Sequence, residues 1–147
     1  MNRDIFEAGK HIFKIHDRLS EKISSKYGLT NLELNILFFL KSNCGIDTAR
    51  DMAEKLNLSK SNISDAVDGL TKKGYILGIQ DEKDRRYIHL KLLESADIIL
   101  EDGFNLHDEF MKKVTKDIPK DKLDIAKEVL EQIFSNAIKE AKNIKDI

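Results

Sequence analysis

The sequence is poor in cysteine, proline and long apolar runs, and these shortages exclude whole classes of structure. The single cysteine, Cys44, excludes an internal disulfide framework and a cysteine-rich zinc site. A lone cysteine usually behaves as a small hydrophobic residue, and this is the expected role of Cys44. Peroxide sensing is the alternative, but no lysine, arginine or histidine flanks Cys44 closely enough to favour the reactive thiolate. No apolar stretch approaches the roughly 18 residues that cross a bilayer, and the first residues lack the apolar segment of a signal peptide. We therefore expect a soluble, cytoplasmic protein with no membrane partner.

Length and charge set the next limits. The 147 residues suffice for one domain or for two small lobes that share a core. The net charge is −1, but residues 41–92 carry ten basic and eight acidic groups, whereas residues 93–147 carry nine basic and thirteen acidic groups. A mildly basic middle segment is a weak indication of a polyanionic partner.

Apolar residues recur at helical spacing in six segments. The predicted helices span about 4–25, 31–42, 48–56, 60–73, 94–116 and 120 onward. Thr30 and Glu33 match a capping box at the start of the second helix, and Ser59 is a suitable N-cap for the fourth. Pro119, the one proline, marks the break before the last helix.

Residues 75–92 predict a β-hairpin. The segment 75–80 is short and β-like, and in 86–92 apolar and polar residues alternate, so that Ile88, Leu90 and Leu92 share one face. The connection 81–85 is entirely charged and lacks the Asn-Gly pair of a tight turn, so we expect it to project into solvent.

The fourth helix has two different faces. One is an apolar stripe, and the other carries small polar groups and one cation near the helix N-terminus: Lys60, Ser61, Asn62, Ser64 and Asp65. The N-terminus of a helix is the positive end of its dipole, so this face is suited to phosphates and base edges in a DNA major groove. An ordinary solvated helix start is the alternative.

The hairpin connection contains two adjacent arginines in a chain that otherwise uses lysine. Only five of the 25 basic residues are arginine, and two of these are Arg85 and Arg86. The planar guanidinium suits bidentate binding of phosphate or carboxylate and insertion into a narrow minor groove. A solvated turn of mixed charge is again the alternative.

The stretch LSKSNISDAVDGLTKKGYI, followed by DEKDRRYIHLKL, resembles the winged helix-turn-helix of the MarR (multiple antibiotic resistance regulator) family of bacterial transcription factors. Its specific part is the wing signature Asp84-Arg85-Arg86. The resemblance implies a mainly α fold with a small β-hairpin. Residues 30–92 would form the DNA-binding lobe, and residues 1–29 and 93–147 a helical dimerisation region.

By this resemblance, the chain is expected to act as a homodimeric repressor on pseudo-palindromic double-stranded DNA, with the helix from Ser59 to Lys73 in the major groove and the wing at the minor groove. The residues expected to touch DNA are Lys60, Ser61, Asn62, Ser64, Asp65, Lys83, Arg85 and Arg86. Two acids are expected to orient the wing: Asp68 would pair with Arg86, and Asp84 would brace the tip.

Many members of the family release DNA when a small aromatic or phenolic ligand binds. Position by analogy suggests that such a ligand would be lined by His11, Ile15, His16, Leu34 and Phe38, although each is also explained as plain core or surface. The four histidines show no metal-ligand spacing with carboxylates, so neither a metal nor another cofactor is expected.

Other functions and arrangements were weighed. A winged helix can also mediate protein contacts without sequence-specific DNA binding, and the modest charge of residues 41–92 keeps this alternative open. An enzyme is not expected, because the chain lacks a nucleophile–base arrangement, a phosphate loop and a metal motif. The first and last helices are apolar beyond what one small lobe covers, which favours a twofold dimer over an intramolecular bundle.

Overall fold

The computed structural model describes residues 3–43 and 45–145. Within them lie six α-helices, a 3₁₀-helix at Glu94–Ala96 and one β-hairpin. In chain order the elements are α1 (Arg3–Lys26), α2 (Asn31–Ser42), α3 (Ala49–Leu56), α4 (Lys60–Lys72), β1 (Ile76–Gln80), β2 (Ile88–Leu92), α5 (Asp97–Val114) and α6 (Lys120–Lys145). The predicted fold class, mainly α with a small hairpin, is confirmed. Cys44, whose role was considered above, lies outside the described residues.

Side-chain caps begin helices α2 and α4. At α2, the Thr30 hydroxyl accepts the Glu33 N–H at 3.1 Å, and the Glu33 carboxylate accepts the Thr30 N–H at 2.7 Å. This reciprocal pair confirms the predicted capping box. At α4, the Ser59 hydroxyl accepts the Asn62 N–H at 3.2 Å, as predicted for an N-cap.

The chain leaves α4 through a left-handed residue. Gly74 has φ 75°, a conformation that favours glycine because it has no Cβ. The Tyr75 N–H then donates to the Leu70 carbonyl at 3.0 Å, which satisfies one of the free carbonyls at the helix end. This reversal sends the chain directly from the end of α4 into β1.

The hairpin is antiparallel, with Ile76 opposite Leu92 and Gln80 opposite Ile88. The face that Ile88, Leu90 and Leu92 were predicted to share is buried at Leu90 (5% exposed), but Ile88 is 53% exposed. Burial decreases along β1 from Ile76 to its solvent-exposed end at Gln80. Ile88 lies opposite that exposed end, where the hairpin has left the helices behind.

One hydrophobic core holds α2, α4 and the hairpin together. Helix α2 contributes three of its most deeply buried side chains, as its nearly continuous apolar surface predicts. The largest fully buried side chains are Leu34, Ile36, Leu37, Met52, Ile63, Leu70, Ile76, Ile99 and Leu100. Since burying one such side chain contributes roughly 1.5–3 kcal/mol, this cluster fixes the position of the elements that carry the exposed site.

The chain divides into two compact units, Met1–His107 and Asp108–Ile147. In the second unit, α6 exposes an apolar stripe whose side chains are between 44% and 62% exposed: Ile125, Val129, Leu130, Ile133, Phe134 and Ile138. The predicted division into a DNA-binding lobe and a dimerisation region concerns an assembly of two chains and stays a prediction. No helix in the described ranges is both long and apolar enough to cross a membrane.

Candidate nucleic-acid interface

The outer face of α4 presents the polar residues predicted to touch DNA. All five of them are exposed, namely Lys60, Ser61, Asn62, Ser64 and Asp65. The opposite face is buried through Ile63, Ala66 and Leu70. The helix therefore presents its positive N-terminal end and its polar side chains on the same surface.

An ion pair between α2 and α4 fixes the C-terminal end of this helix. The Lys73 ammonium donates to both Glu33 carboxylate oxygens, at 2.8 and 2.7 Å, and the Glu33 side chain is only 5% exposed. Burial alone would raise the pKa of Glu33, but the hydrogen bonds from Lys73 and from the Thr30 N–H outweigh it and lower the pKa. Glu33 thus caps α2 and also holds α4.

Gly69 provides the space for this carboxylate. A Cβ at position 69 would lie 2.3 Å from the Glu33 Oε1 atom, a distance that atoms do not tolerate. The carboxylate cannot simply swing away, because Lys73 and the Thr30 N–H hold it. Glycine at this point of α4 is therefore explained by close approach of a neighbouring side chain.

The tip of the wing is organised by Asp81. Its Oδ1 atom accepts the N–H groups of Lys83 at 2.8 Å and Asp84 at 2.7 Å. These hydrogen bonds, with that of Asp84 the largest influence, lower the pKa of Asp81. The Asp81 N–H donates to the Tyr87 carbonyl at 3.0 Å, which closes the loop. The Asp81 carboxylate thus stabilises this turn, which lacks the Asn-Gly pair of a tight hairpin.

The predicted ion pair between Asp68 and Arg86 is absent from the described residues. Arg86 instead donates through Nε and a terminal nitrogen to both oxygens of Asp84, at 3.0 and 2.7 Å, and its own N–H reaches the same carboxylate at 3.1 Å. This bidentate contact lowers the pKa of Asp84. Arg86 pairs with Asp84 because Asp84 lies two residues away in the same turn, whereas Asp68 is exposed on another element. Asp84 does brace the tip, as expected.

Arg85 differs from its neighbour. Its carbonyl accepts a hydrogen bond from the Gln80 side chain at 2.9 Å, so its backbone is held. Its exposed guanidinium has no ion pair among the residues that the structure describes, and Lys83 is exposed beside it. The wing therefore presents one arginine that is neutralised locally and one that is available to an anion.

The base of the wing is tied to the loop before α3 by a histidine between two carboxylates. The His89 Nδ1 atom lies 2.6 Å from Asp47 Oδ1, and the Nε2 atom lies 3.1 Å from Asp81 Oδ2. Asp47 first, and then Asp81, raises the pKa of His89. The alternation in β2 placed His89 on the outer face, but its partners could not be read from the sequence.

A groove of about 340 Å³ separates the wing from the start of α3. It is lined by Thr48, Ala49, Arg50, Arg86, Tyr87 and Ile88. Arg50 is a residue that the sequence reasoning missed. The scarcity of arginine was the available signal, because three of the five arginines of the chain lie on α3 or the wing.

Comparison with known proteins agrees with this geometry. A model of the MarR family matches residues 27–86, which contain the helix-turn-helix and the wing up to Arg86. This match covers less than half of the chain, and within it the chain is similar to the MarR family.

Similar proteins extend the match over different lengths. The transcriptional regulator AdcR of Streptococcus pneumoniae is 31% identical over 87 residues, which are 59% of this chain and 58% of AdcR. The chain thus spans little more than half the length of that relative. Among solved structures, a MarR transcriptional regulator from Methanosarcina mazei has a TM-score of 0.77 at 22% identity and covers 94% of this chain and 99% of its own.

A third similar protein was solved with nucleic acid. A point mutant of MepR of Staphylococcus aureus, bound to an oligodeoxyribonucleotide, has a TM-score of 0.64 at 18% identity, covering 90% of this chain and 97% of its own. At these identities the two structural likenesses establish the winged-helix fold of the chain.

The first unit of the chain also contains an apolar cavity of about 240 Å³ between α1, α2 and α5. It is lined by His16, Leu19, Ser20, Ile23, Leu34, Asn35, Phe38, Gly103, Phe104, Leu106 and His107. Three residues predicted for a ligand pocket line it, namely His16, Leu34 and Phe38. The other two, His11 and Ile15, lie outside the lining, because they are exposed on α1 about two turns and one turn before Leu19, respectively.

The wall of the cavity depends on another close glycine. A Cβ at Gly103 would lie 2.2 Å from the tip of the Phe38 ring, so only glycine lets this ring rest on α5. Phe38 meets Phe104 edge to face, with centroids 5.2 Å apart. Beside them, the Tyr27 hydroxyl donates to Asp102 at 2.5 Å, which joins the end of α1 to α5.

Proposed function

We propose that this protein is a transcriptional regulator of the MarR family, a homodimeric repressor that binds a pseudo-palindromic double-stranded operator. The observation that carries the proposal is that the polar face of α4 and the arginine tip of the wing belong to one compact unit with a shared core. A rigid body of this kind can place a helix and a wing on neighbouring grooves of the same duplex.

Helix α4 would enter the major groove with its N-terminus leading. Lys60 supplies a cation, and Ser61, Asn62 and Ser64 supply short donors and acceptors that can reach base edges. Because the first N–H groups of α4 point the same way, the helix start also suits a phosphate. Asp65 lies on this face and would accept from a cytosine amino group.

The wing would bind the neighbouring minor groove. Arg85 and Lys83 supply the exposed cations at its tip, and arginine is favoured where the minor groove is narrow. Arg50, which lines the same groove as Arg86, would contact the phosphate backbone between the two DNA grooves. The oligonucleotide complex of MepR supports a DNA-binding use of this fold.

A dimer would cover the exposed stripe of α6. Apolar side chains from Ile125 to Ile138 lie on one side of that helix and face solvent in a single chain. Contiguous apolar patches of this kind mark interfaces, and a twofold partner offers the same stripe in return. Two copies of the winged unit would then read two half-sites of one operator.

The cavity between α1, α2 and α5 would bind a small aromatic or phenolic effector. Its walls are mainly apolar, and Phe38 and Phe104 offer ring faces and edges for stacking. His16, Ser20 and Asn35 supply the few polar groups that would orient a hydroxyl. Ligand binding in this cavity would release the operator by changing how α4 and the wing are held.

Selection of duplexes from a random pool tests operator binding. We expect enrichment of an inverted repeat, whose affinity falls steeply with salt because counterions are released from the phosphates. Enrichment of no inverted repeat would overturn the dimeric reader, and the absence of salt-dependent binding to any duplex would favour a protein-interaction module.

Substitution of Arg85 tests the wing. Arg85→Ala should weaken binding to the selected duplex and lower the dependence of log K on log salt by about one charge. Arg18→Ala is the matched control, since Arg18 lies on α1, outside the proposed interface. Equal effects of both substitutions would contradict a contact between the wing and DNA.

A further inference from the structure

His89 occupies an unusual position at the base of the wing. Its two ring nitrogens each face a carboxylate, Asp47 at 2.6 Å and Asp81 at 3.1 Å. The three residues come from different segments: the loop before α3, the residue after β1, and β2. All three side chains are about one-third exposed, so the cluster is partly shielded and yet open to protons.

The chemistry of imidazole decides what this geometry requires. A neutral histidine carries one N–H and one lone pair, so it can donate to only one carboxylate. Two ionised carboxylates accept only, and satisfying both requires the imidazolium, in which both nitrogens donate. The distances on both sides of His89 therefore fit the protonated ring.

Both aspartates also accept hydrogen bonds from other parts of the backbone. Asp81 also accepts the N–H groups of Lys83 and Asp84 and so shapes the wing tip. The carbonyl of Asp47 accepts the Leu90 N–H at 2.8 Å, beside a backbone bridge between Thr48 and His89. The ring thus connects the turn of the wing to the framework of the helix-turn-helix.

We propose that His89 is the positioning residue of the wing: by bridging Asp47 and Asp81 it ties the hairpin to the loop before α3, and the tie loosens when the ring loses its proton. The consequence for DNA rests on the proposed function. A wing that is held in place has less freedom to lose on binding, so operator affinity should be higher with the tie intact.

The charges around the ring define the direction of the pH effect. The loop before α3 presents Asp47, the end of β1 presents Asp81, and Lys91 follows on the same face of β2. Helices α2 and α3 bring no further carboxylate of the described residues within ion-pair distance of the ring. Because the folded-state pKa of His89 is raised, the tie is complete below its unfolded pKa and is lost as pH rises through the folded-state pKa.

Limited trypsin digestion of the free protein tests the tie without DNA. The wing tip offers cleavage sites at Lys83, Arg85 and Arg86, which become accessible when the hairpin loosens. Rates would be measured at about pH 6 and about pH 8.5, on either side of the ordinary titration of histidine, and normalised to a short peptide substrate in the same buffers. Wild type should be cut several-fold faster at the higher pH.

Two variants and one control complete the design. His89→Gln and Asp47→Ala should be cut rapidly and equally at both pH values, since neither can form the double bridge. His11→Gln, a histidine exposed on α1, should behave like wild type. Unchanged far-ultraviolet circular dichroism and melting of the helices would show that each variant is folded. A His89→Gln wing as resistant as wild type at the lower pH, or wild-type resistance that does not change with pH, would overturn the proposal.

Operator binding gives a second, separable readout. On a duplex selected from a random pool, wild-type affinity should fall several-fold as pH rises over the same range, beyond any change in His11→Gln, while His89→Gln should bind weakly and without this dependence. If wild type binds no duplex, the proposed DNA binding fails, and digestion of the free protein still decides the role of His89.

Discussion

Glu33 is the residue on which two helices depend. Its backbone and side chain complete the cap of α2, and its carboxylate accepts two hydrogen bonds from Lys73 at the end of α4. The capping role was readable from the spacing of Thr30 and Glu33. The contact with Lys73, forty positions later, was not, because no local pattern links residues that distant in sequence.

The substitution Gly69→Ala should destabilise this protein, although the same change usually stabilises a helix. In an ordinary helix interior this change stabilises by about 1 kcal/mol, through helix propensity. Here the new Cβ would meet the held carboxylate of Glu33, so we expect destabilisation of about 1–3 kcal/mol, typical of overpacking. Urea unfolding would measure it. In a Glu33→Ala background the same change should stabilise, and destabilisation there would contradict the proposed clash.

Lys73→Met tests the ion pair through pH. At neutral pH the buried Glu33 carboxylate would lose its charged partner, at a cost of about 1–3 kcal/mol. Because the folded-state pKa of Glu33 is lowered, the stability that it contributes is present above its unfolded pKa and lost as pH falls through the folded-state value. The difference between wild type and variant should therefore shrink in acid.

Urea unfolding over a pH series measures this effect, and Lys72→Met provides the control. Lys72 is the neighbouring, exposed lysine in the last turn of α4, so its loss should leave stability nearly unchanged at every pH. A difference between wild type and Lys73→Met that stays constant into acid would refute the role of the Glu33 carboxylate.

At the scale of elements, the wing is the part where sequence reasoning both succeeded and failed. The hairpin and the exposure of its charged connection were predicted. The partner of Arg86 was predicted incorrectly, because the choice between two nearby acids depends on the turn conformation that Asp81 imposes. Alternation alone also could not show where the hairpin leaves the core, so it could not reveal that Ile88 is exposed.

The two acids now have distinguishable effects on operator binding. Asp84→Ala should weaken binding, because Arg86 loses both its partner and the N–H contact that shapes the tip. Asp68→Ala should leave affinity unchanged or raise it slightly, since an exposed negative charge near the recognition surface is removed. Both are read on the same selected duplex. Weakening by Asp68→Ala alone would restore the predicted pairing of Asp68 with Arg86 in the DNA-bound state.

At the scale of the whole molecule, the exposed stripe of α6 predicts assembly. Phe134→Glu would place a charge within this stripe, so we expect the variant to sediment as a monomer at concentrations where wild type is a dimer. Its affinity for an inverted repeat should fall with the loss of the second winged unit, whereas helix content stays constant.

Lys139→Glu is the matched control on the polar side of the same helix, since Lys139 is exposed there. Dimerisation that survives Phe134→Glu would disconnect the α6 stripe from assembly. Periodicity alone showed that α6 has an apolar side, but a single chain does not reveal which surface covers it.

The position of Gly69 and Lys73 divides α4 into two parts with different freedom to vary. Lys60, Ser61, Asn62, Ser64 and Asp65 are exposed, whereas Ile63 between them is buried in the core. Under the proposed function, evolution or an engineer could exchange the five exposed residues to address a new operator. The segment 69–73 is tied to the cap of α2 and has to be inherited with it. Under the proposed function, α4 is thus interchangeable only at the exposed positions of its first half, and transplanting a whole helix from a relative would also require the matching start of α2.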